Sequence, residues 1–264
     1  MTTRAPGIFA AYFAQFLKAR MAYRADFFAE VAATGLRTLA SLVFVFVLFV
    51  PIDQLRGWNR DEILFIYGLS MIPYGMFAMV SWNLYDFGDK YIIEGHFDRV
   101  LLRPVNSFLQ VLFESFRVQT LAESLIGVAV VVIAGASLDL SWSALDVLWL
   151  AVACVSGAVL FIAIFGIVAS LSFHFEDRVG IAPPIFNMIN AGRYPVEIFH
   201  PVLRFVLRWV IPFSFVAFYP STGLLGRDEF RSLCLLSPLI ALVFVGLLGV
   251  AWTLGVRRYA STGS

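Results

Sequence analysis

Six blocks of predominantly apolar residues, separated by shorter polar segments, dominate this sequence. A helix needs about 20 such residues to cross the hydrocarbon core of a bilayer, and each block has about that length or more. The blocks predict an all-α integral membrane protein with six transmembrane helices, at about residues 27–50, 63–82, 108–136, 145–173, 181–199 and 233–256.

The composition supports this interpretation along most of the chain. Of the 264 residues, 60% are hydrophobic and 14% are charged, whereas about 25% of the residues of a soluble domain are charged. The net charge of +1 gives no basis for nucleic-acid binding. We therefore expect one transmembrane domain over residues 1–264, with membrane lipid and no nucleic acid among its partners.

Residues 8–26 are predicted to form an amphipathic helix before the first block. Phe9, Phe13 and Phe16 share one helical face, but the segment is too short and too charged to cross a bilayer. We interpret it as an interfacial helix that lies on the membrane. An extension of the first transmembrane helix is the alternative.

Residues 201–231 contain an apolar stretch that prolines interrupt. The stretch runs from Trp209 to Pro220 and includes Pro212. It is too short to span a bilayer, and a proline frees a backbone carbonyl that lipid cannot satisfy. These features predict a re-entrant pair of short helices packed against the other helices.

Arginine and lysine residues are concentrated in the segments that would lie on one side of the membrane. That side would hold both termini and the 85–107 loop, whereas the short loops 51–62 and 137–144 contain only Arg56 and Arg60. Because Lys and Arg favour the cytoplasmic side, we expect both termini and the 85–107 loop to be cytoplasmic. The 201–231 segment would then be extracytoplasmic.

The sequence contains no motif for ATP hydrolysis or for metal binding. A P-loop requires a lysine between glycine and Ser or Thr, and neither Lys18 nor Lys90 has these neighbours. His96, His174 and His200 are scattered, without the spacing of a zinc or nucleophile motif. We therefore expect no catalytic residue, no metal site and no cofactor in this chain.

The 85–107 loop carries the most distinctive motif. Its segments Glu94–Asp98 and Leu101–Pro104 combine a flexible glycine, a large aromatic side chain, charges and a terminating proline. Such a segment is typical of a loop that seats in a groove on a partner, where Phe97 would be the anchor and the charges would fix the register. An amphipathic connector with Phe97 and Leu101 resting on lipid fits the composition equally well.

Three motifs extend over most of the chain: Tyr23-Arg24-Ala25-Asp26-Phe27, then Gly95-x-Phe97-Asp98-x-x-Leu101-Leu102-Arg103-Pro104, and finally Ile211-Pro212-Phe213-Ser214-Phe215-Val216-x-Phe218-Tyr219-Pro220. Their order and spacing resemble the ABC-2-type transporter permease family, in particular its small six-span bacterial subgroup. That subgroup more often has Gly-Glu-Phe-Asp in the loop, and His96 replaces the glutamate here.

The resemblance implies a permease subunit of an ATP-binding-cassette exporter, with a type V exporter-like fold, in the inner membrane of a bacterium. Its partners would be two copies of an ATP-binding subunit, which holds the ATP and Mg²⁺, and a second permease, identical or paralogous. An amphipathic or lipid-like cargo is compatible with the apolar chain. The alternatives are an intramembrane lipid-modifying enzyme and a structural subunit that transports nothing.

The resemblance also assigns roles to two groups of residues. The loop would contain a coupling helix that docks on the ATP-binding subunit through Glu94, Gly95, Phe97, Asp98, Arg99, Leu101, Leu102, Arg103 and Pro104. The re-entrant segment would shape an extracytoplasmic gate through Pro212, Phe215, Phe218, Tyr219 and Pro220.

Charged residues in or near the apolar blocks form a third group, since a lone charge at the bilayer centre costs about 2.5–3.5 kcal/mol. Besides Glu123, the group includes Glu114 and Arg117, which are three residues apart, and we favour their mutual neutralisation over contact with substrate. Glu30 and Arg37 lie two turns apart in the first helix and would face either the second permease or the third helix.

Overall fold

The computed structural model describes residues 24–175 and 182–260. The chain order of its elements is α1 (Arg24–Leu48), β1 (Gln54–Leu55), β2 (Trp58–Asn59), α2 (Arg60–Tyr85), α3 (Phe97–Leu101), α4 (Ser107–Phe113), α5 (Leu121–Ser137), α6 (Ala144–Phe175), α7 (Ala182–Gly192), α8 (Pro201–Phe205), α9 (Phe218–Thr222) and α10 (Arg231–Arg258). The two short strands pair as an antiparallel hairpin. Most of the predicted interfacial helix at 8–26 lies outside the described residues.

Within the described ranges, five helical stretches are long and apolar enough to cross a membrane. They contain α1, α2, α5, α6 and α10. A sixth span results if Pro201–Val210 and Phe213–Thr222, which are bent by 68° relative to each other, count as one. The predicted all-α, multi-pass membrane architecture is therefore confirmed, whereas the re-entrant path of residues 201–231 stays a prediction.

Helix α2 lies at the centre of the bundle. It is largely buried and packs against both α5 and α6, and α6 packs in turn against α10. A capping box fixes its start, because the Glu62 N–H donates to the Asn59 side chain (2.8 Å) and the Asn59 N–H donates to the Glu62 carboxylate (2.9 Å). In contrast, α1 and α10 leave most of their surface facing outward.

The contact between α2 and α5 requires glycine. A Cβ atom added to Gly127 of α5 would lie 2.7 Å from the carbonyl oxygen of Gly68 in α2, and one added to Gly68 would lie 2.7 Å from the Val130 side chain. In a membrane, small residues let two backbones approach and gain van der Waals contact. The glycines thus hold α5 directly against the central helix.

The predicted third transmembrane helix, residues 108–136, is interrupted in the structure. Helix α4 ends at Phe113, and a 3₁₀ turn at Val118–Thr120 precedes α5. Helix α2 holds the break: the Arg117 N–H donates to the Met79 carbonyl (2.8 Å) and the Thr120 hydroxyl donates to the Gly75 carbonyl (3.1 Å). These bonds let irregular backbone lie inside the protein, where lipid could not satisfy it.

The fifth transmembrane helix, predicted at residues 181–199, also differs. Among the residues that the structure describes, helix α7 covers Ala182–Gly192, and it ends seven residues before the predicted end of the span at residue 199. Pro195 follows closely, and a proline restricts the preceding residue to extended conformations. The chain continues to Thr222 in short segments, which include α8, a π-helical turn at Val206–Val210 and α9.

The variant Gly127→Ala tests the α2–α5 contact. We expect it to lose about 1–3 kcal/mol of stability, because the added Cβ forces the two backbones apart. The measurement is the thermal unfolding midpoint of the purified protein in detergent. Gly246→Ala in α10 is the matched control, since a Cβ there meets no atom within 4 Å and alanine favours a helix. Equal midpoints for the two variants would contradict the close contact.

Candidate functional site

The 85–107 loop folds into two short helical segments at one end of the bundle, called the loop end below. A π-helical turn covers Gly88–Ile93 and is followed by α3, which has five residues. Gly95 lies between them with φ +71°, a left-handed conformation that glycine adopts without steric cost. The predicted coupling helix is therefore the short α3, turned away from the π-helical segment at Gly95.

Phe97 is fully buried within the chain, which differs from its predicted position in a partner's groove or on lipid. Its ring packs edge-to-face against Phe173 (4.9 Å between centroids) and Tyr259 (5.0 Å), and Phe87 and Trp252 complete the cluster. Edge-to-face pairs add to the free energy gained by burying the ring. Phe97 therefore anchors α3 to the ends of α6 and α10.

Asp98 adds a polar contact between α3 and the end of α10. The Tyr259 hydroxyl donates to Asp98 Oδ1 (3.0 Å). Burial, together with the hydrogen bond to this carboxylate, raises the pKa of Tyr259 to about 12, so the hydroxyl is a donor at neutral pH. The sequence interpretation did not assign a role to Tyr259. Its position directly after Arg257 and Arg258 could have indicated that it lies at the loop end.

The other residues of the predicted docking site are mostly exposed. Leu102 is 84% exposed, whereas Gly95 and Asp98 are partly buried. We call the exposed residues of this group the loop surface: Glu94, Arg99, Leu101, Leu102, Arg103 and Pro104. Two leucines flanked by charges of both signs offer apolar area and charge complementarity to a protein partner.

The residues predicted to shape a gate are buried together at the opposite end of the bundle: Pro212, Phe215, Phe218, Tyr219 and Pro220. The Phe218 ring packs against Trp58 of the hairpin (5.4 Å between centroids). The Pro220 carbonyl accepts a hydrogen bond from the Trp149 indole (3.0 Å), and Arg208 donates to the Tyr219 hydroxyl. These contacts join the 212–220 segment to the hairpin and to α6.

A polar cavity of about 510 Å³ lies between α1, α2, α7 and the break before α5. Its walls carry three arginines and two glutamates: Arg37, Arg117, Arg193, Glu30 and Glu123. Since Arg37 and Tyr74 of its wall lie near the middle of α1 and α2, the cavity reaches the centre of the bundle. Glu30 and Arg37 thus face this interior, where the broken third span forms part of the wall.

A buried ion pair lies at the inner wall of this cavity. Arg193 Nη2 lies 3.0 Å from Glu123 Oε1, and Arg193 Nη1 donates to the Tyr67 hydroxyl (3.2 Å). The guanidinium also lies 4.9 Å from the centroid of the Tyr74 ring. The sequence interpretation missed Arg193, although an arginine inside an apolar block is itself a signal of function.

The predicted pairing of Glu114 with Arg117 required a continuous helix, and the chain is not helical there. Glu114 instead accepts a hydrogen bond from the Tyr91 hydroxyl and lies 3.7 Å from Lys90 Nζ. The Arg117 guanidinium lies over the Trp82 ring, 4.1 Å from its centroid. The contacts of Glu114 with Lys90 and Tyr91 therefore connect the π-helical turn to the break before α5. Arg117 contributes to the cavity wall.

Comparison with known proteins bears on most of this chain. Residues 36–263 match a family model described as an ABC-2 family transporter protein. No curated protein and no solved structure matched the chain. The matched range contains the loop surface, the residues at the gate position and all of the cavity wall except Glu30, Ala33 and Thr34. The chain therefore belongs to the ABC-2 family of transporter proteins, as its motifs predict.

Proposed function

We propose that this chain is the permease subunit of an ATP-binding-cassette exporter, and that its loop surface docks on a separate ATP-binding subunit. The observation that carries the proposal is the orientation of α3. Phe97 attaches α3 to the bundle, while Leu101, its last residue, and Leu102, directly after it, remain exposed. Membership of the ABC-2 family and the lack of a P-loop in the sequence support a motor on another polypeptide.

In this proposal, two ATP-binding subunits hold the ATP and Mg²⁺ and serve two permeases, identical or paralogous. The largely exposed face of α1 is the surface where the second permease would pack. Closure of the ATP-binding subunits on ATP would carry α3 with them and shift the helices at the permease interface. Cargo would then leave through the end at which Phe215, Phe218 and Tyr219 are packed.

The proposed orientation places both termini and α3 in the cytoplasm of a bacterium and the hairpin outside its inner membrane. The charge distribution supports it, because the loop end holds Lys90, Arg99, Arg103, Arg257 and Arg258. Export is favoured because the motifs of the chain resemble those of exporters.

The variant Leu102→Asp tests docking. Burial of a leucine contributes about 1.5–3 kcal/mol, so we expect recovery of the ATP-binding subunit to fall about tenfold or more. The measurement is co-purification of the tagged permease with the ATP-binding subunit encoded beside it, followed by an ATPase assay. The amount of permease should not change, because Leu102 is 84% exposed.

Val50→Asp is the matched control for this experiment. Val50 is 81% exposed but follows α1 at the opposite end of the bundle, so the ATP-binding subunit should be retained. Docking at the loop surface would be contradicted if the Leu102→Asp variant retained the ATP-binding subunit, or if both variants lost it equally. Phe97→Ala should act differently, lowering the stability of the permease itself by about 3–5 kcal/mol.

The variant Tyr259→Phe tests the attachment of α3 to α10. It keeps the ring in the aromatic cluster but removes the hydrogen bond to Asp98, which is worth about 1.5–3 kcal/mol for a charged acceptor. We expect amide hydrogen exchange in residues 94–104 to accelerate about tenfold or more, measured by mass spectrometry, with α2 unchanged. Tyr85→Phe is the control, since its hydroxyl makes no hydrogen bond among the described residues. Equal exchange in both variants would argue against the contact.

A further inference from the structure

A second cavity, of about 500 Å³, adjoins the polar one. Arg37, Ser41, Asn190 and Arg193 line both, so the two meet at these side chains. The other walls of the second cavity are apolar or aromatic: Ala40, Phe44, Tyr67 and Tyr194. Phe44 is 56% exposed on the outer face of α1, and the second cavity therefore borders the surface that faces lipid.

Positive charge predominates where the two cavities meet. Arg193 is paired with Glu123, and its side chain is nine-tenths buried, yet its Nε has no hydrogen-bond partner among the described residues. No carboxylate in residues 24–175 and 182–260 lies within ion-pair distance of Arg37. An arginine in a membrane-spanning segment is costly unless a counter-charge accompanies it. An anion bound at the junction would offset that cost.

The interrupted third span supplies an independent indication of a binding site. Its irregular segment contributes Arg117, Gln119 and Thr120 to the polar cavity. Non-helical backbone at membrane depth is tolerated where it lines a cavity, and interrupted helices commonly form the binding sites of transporters. The break thus places polar groups beside the junction rather than in lipid.

We propose that the two cavities form one binding site for an anionic amphiphile. Its carboxylate or phosphate headgroup binds Arg37 and lies beside the Arg193 guanidinium, which lines both cavities, and its hydrocarbon chain lies in the apolar cavity along α1. Guanidinium groups suit this role because they bind carboxylate and phosphate with paired, charge-assisted hydrogen bonds. The assignment of this ligand as cargo rests on the proposed function, whereas the binding itself requires no ATP-binding subunit.

The test uses the full chain alone, in phosphatidylcholine nanodiscs without nucleotide. Three photoreactive probes share one C16 chain with a diazirine and differ only in the headgroup: a carboxylate, a hydroxyl and a trimethylammonium. Cross-linked peptides are identified by mass spectrometry. We expect the carboxylate probe to label peptides around residues 40–44 and 190–194 in preference to the other two probes, and unlabelled palmitate to compete.

Arg37→Gln should lower labelling by the carboxylate probe about tenfold or more, since it removes a charge-assisted hydrogen bond to the headgroup. Arg37→Lys should restore part of it. Arg56→Gln, an exposed arginine of the hairpin turn that lines neither cavity, is the matched control and should label as the wild type does. The probe comparison on the wild type tests the proposal without any variant.

Equal labelling by the hydroxyl probe, or labelling that Arg37→Gln leaves unchanged, would overturn the proposal. A preference for the trimethylammonium probe would also overturn it and would assign the site to cations through Glu30 and Glu123. Repeating the experiment in phosphatidylglycerol nanodiscs tests whether the bound headgroup belongs to a bilayer phospholipid or to a single-chain acid. Reduced labelling there identifies a bilayer phospholipid as an occupant, and unchanged labelling identifies a single-chain acid; both fit the anionic site.

These results are independent of docking. Absence of the ATP-binding subunit from the co-purified wild-type permease would contradict the proposed function and leave the labelling pattern intact. Failure of the labelling would leave the docking result intact.

Discussion

Polar backbone groups within a bilayer must find partners inside the protein, and this constraint determines where the chain can depart from helix. Two segments of the described ranges illustrate this constraint. The break before α5 is bonded to the Met79 and Gly75 carbonyls of α2. The bend near Ile211 is held by the Ser214 hydroxyl, which donates to the Leu207 carbonyl (2.7 Å), and α9 beyond it packs on α2 and α6. The buried helix α2 therefore contacts both irregular segments.

The same constraint explains why a polar cavity occurs where it does. The break gives up regular helix and brings Arg117 and Gln119 to the cavity wall, and the early end of α7 brings Arg193 there. Each arginine would be costly against lipid. Here Glu123 pairs with Arg193 and the Trp82 ring covers Arg117. The same region of the protein therefore supplies partners both for the irregular backbone and for the buried charges.

Hydropathy predicted the continuous helices closely. The blocks at 27–50, 63–82, 145–173 and 233–256 correspond to α1, α2, α6 and α10, because an apolar run of that length has few other stable states. It missed the break at the start of the third span, whose later part Val118–Ser137 is still long and apolar enough to cross a membrane, and it missed the end of α7 at Gly192, for a physical reason. Residues 114–120 and 193–199 are partly apolar because they pack against protein rather than lipid, and a window average does not distinguish the two.

The site was less predictable than the fold because its contacts join distant parts of the sequence. The loop motif located α3, but the burial of Phe97 depends on Phe173 and Trp252, which lie on α6 and α10. The pairing of Arg193 with Glu123 likewise joins residues 70 positions apart. A single sequence shows that such groups exist; only the packing of α2, α5 and α7 shows that they meet.

The loop end and the cavity are connected through the break. Lys90 and Tyr91 of the π-helical turn both contact Glu114, the first residue after α4, and Arg117, three residues further, lines the cavity. The ion pair is partly exposed and contributes little, so the Tyr91 hydrogen bond carries most of this connection. In the proposed exporter, a displacement of α3 by the ATP-binding subunit would pass through the π-helical turn to Glu114. It would reach the cavity wall without requiring the long helices to bend.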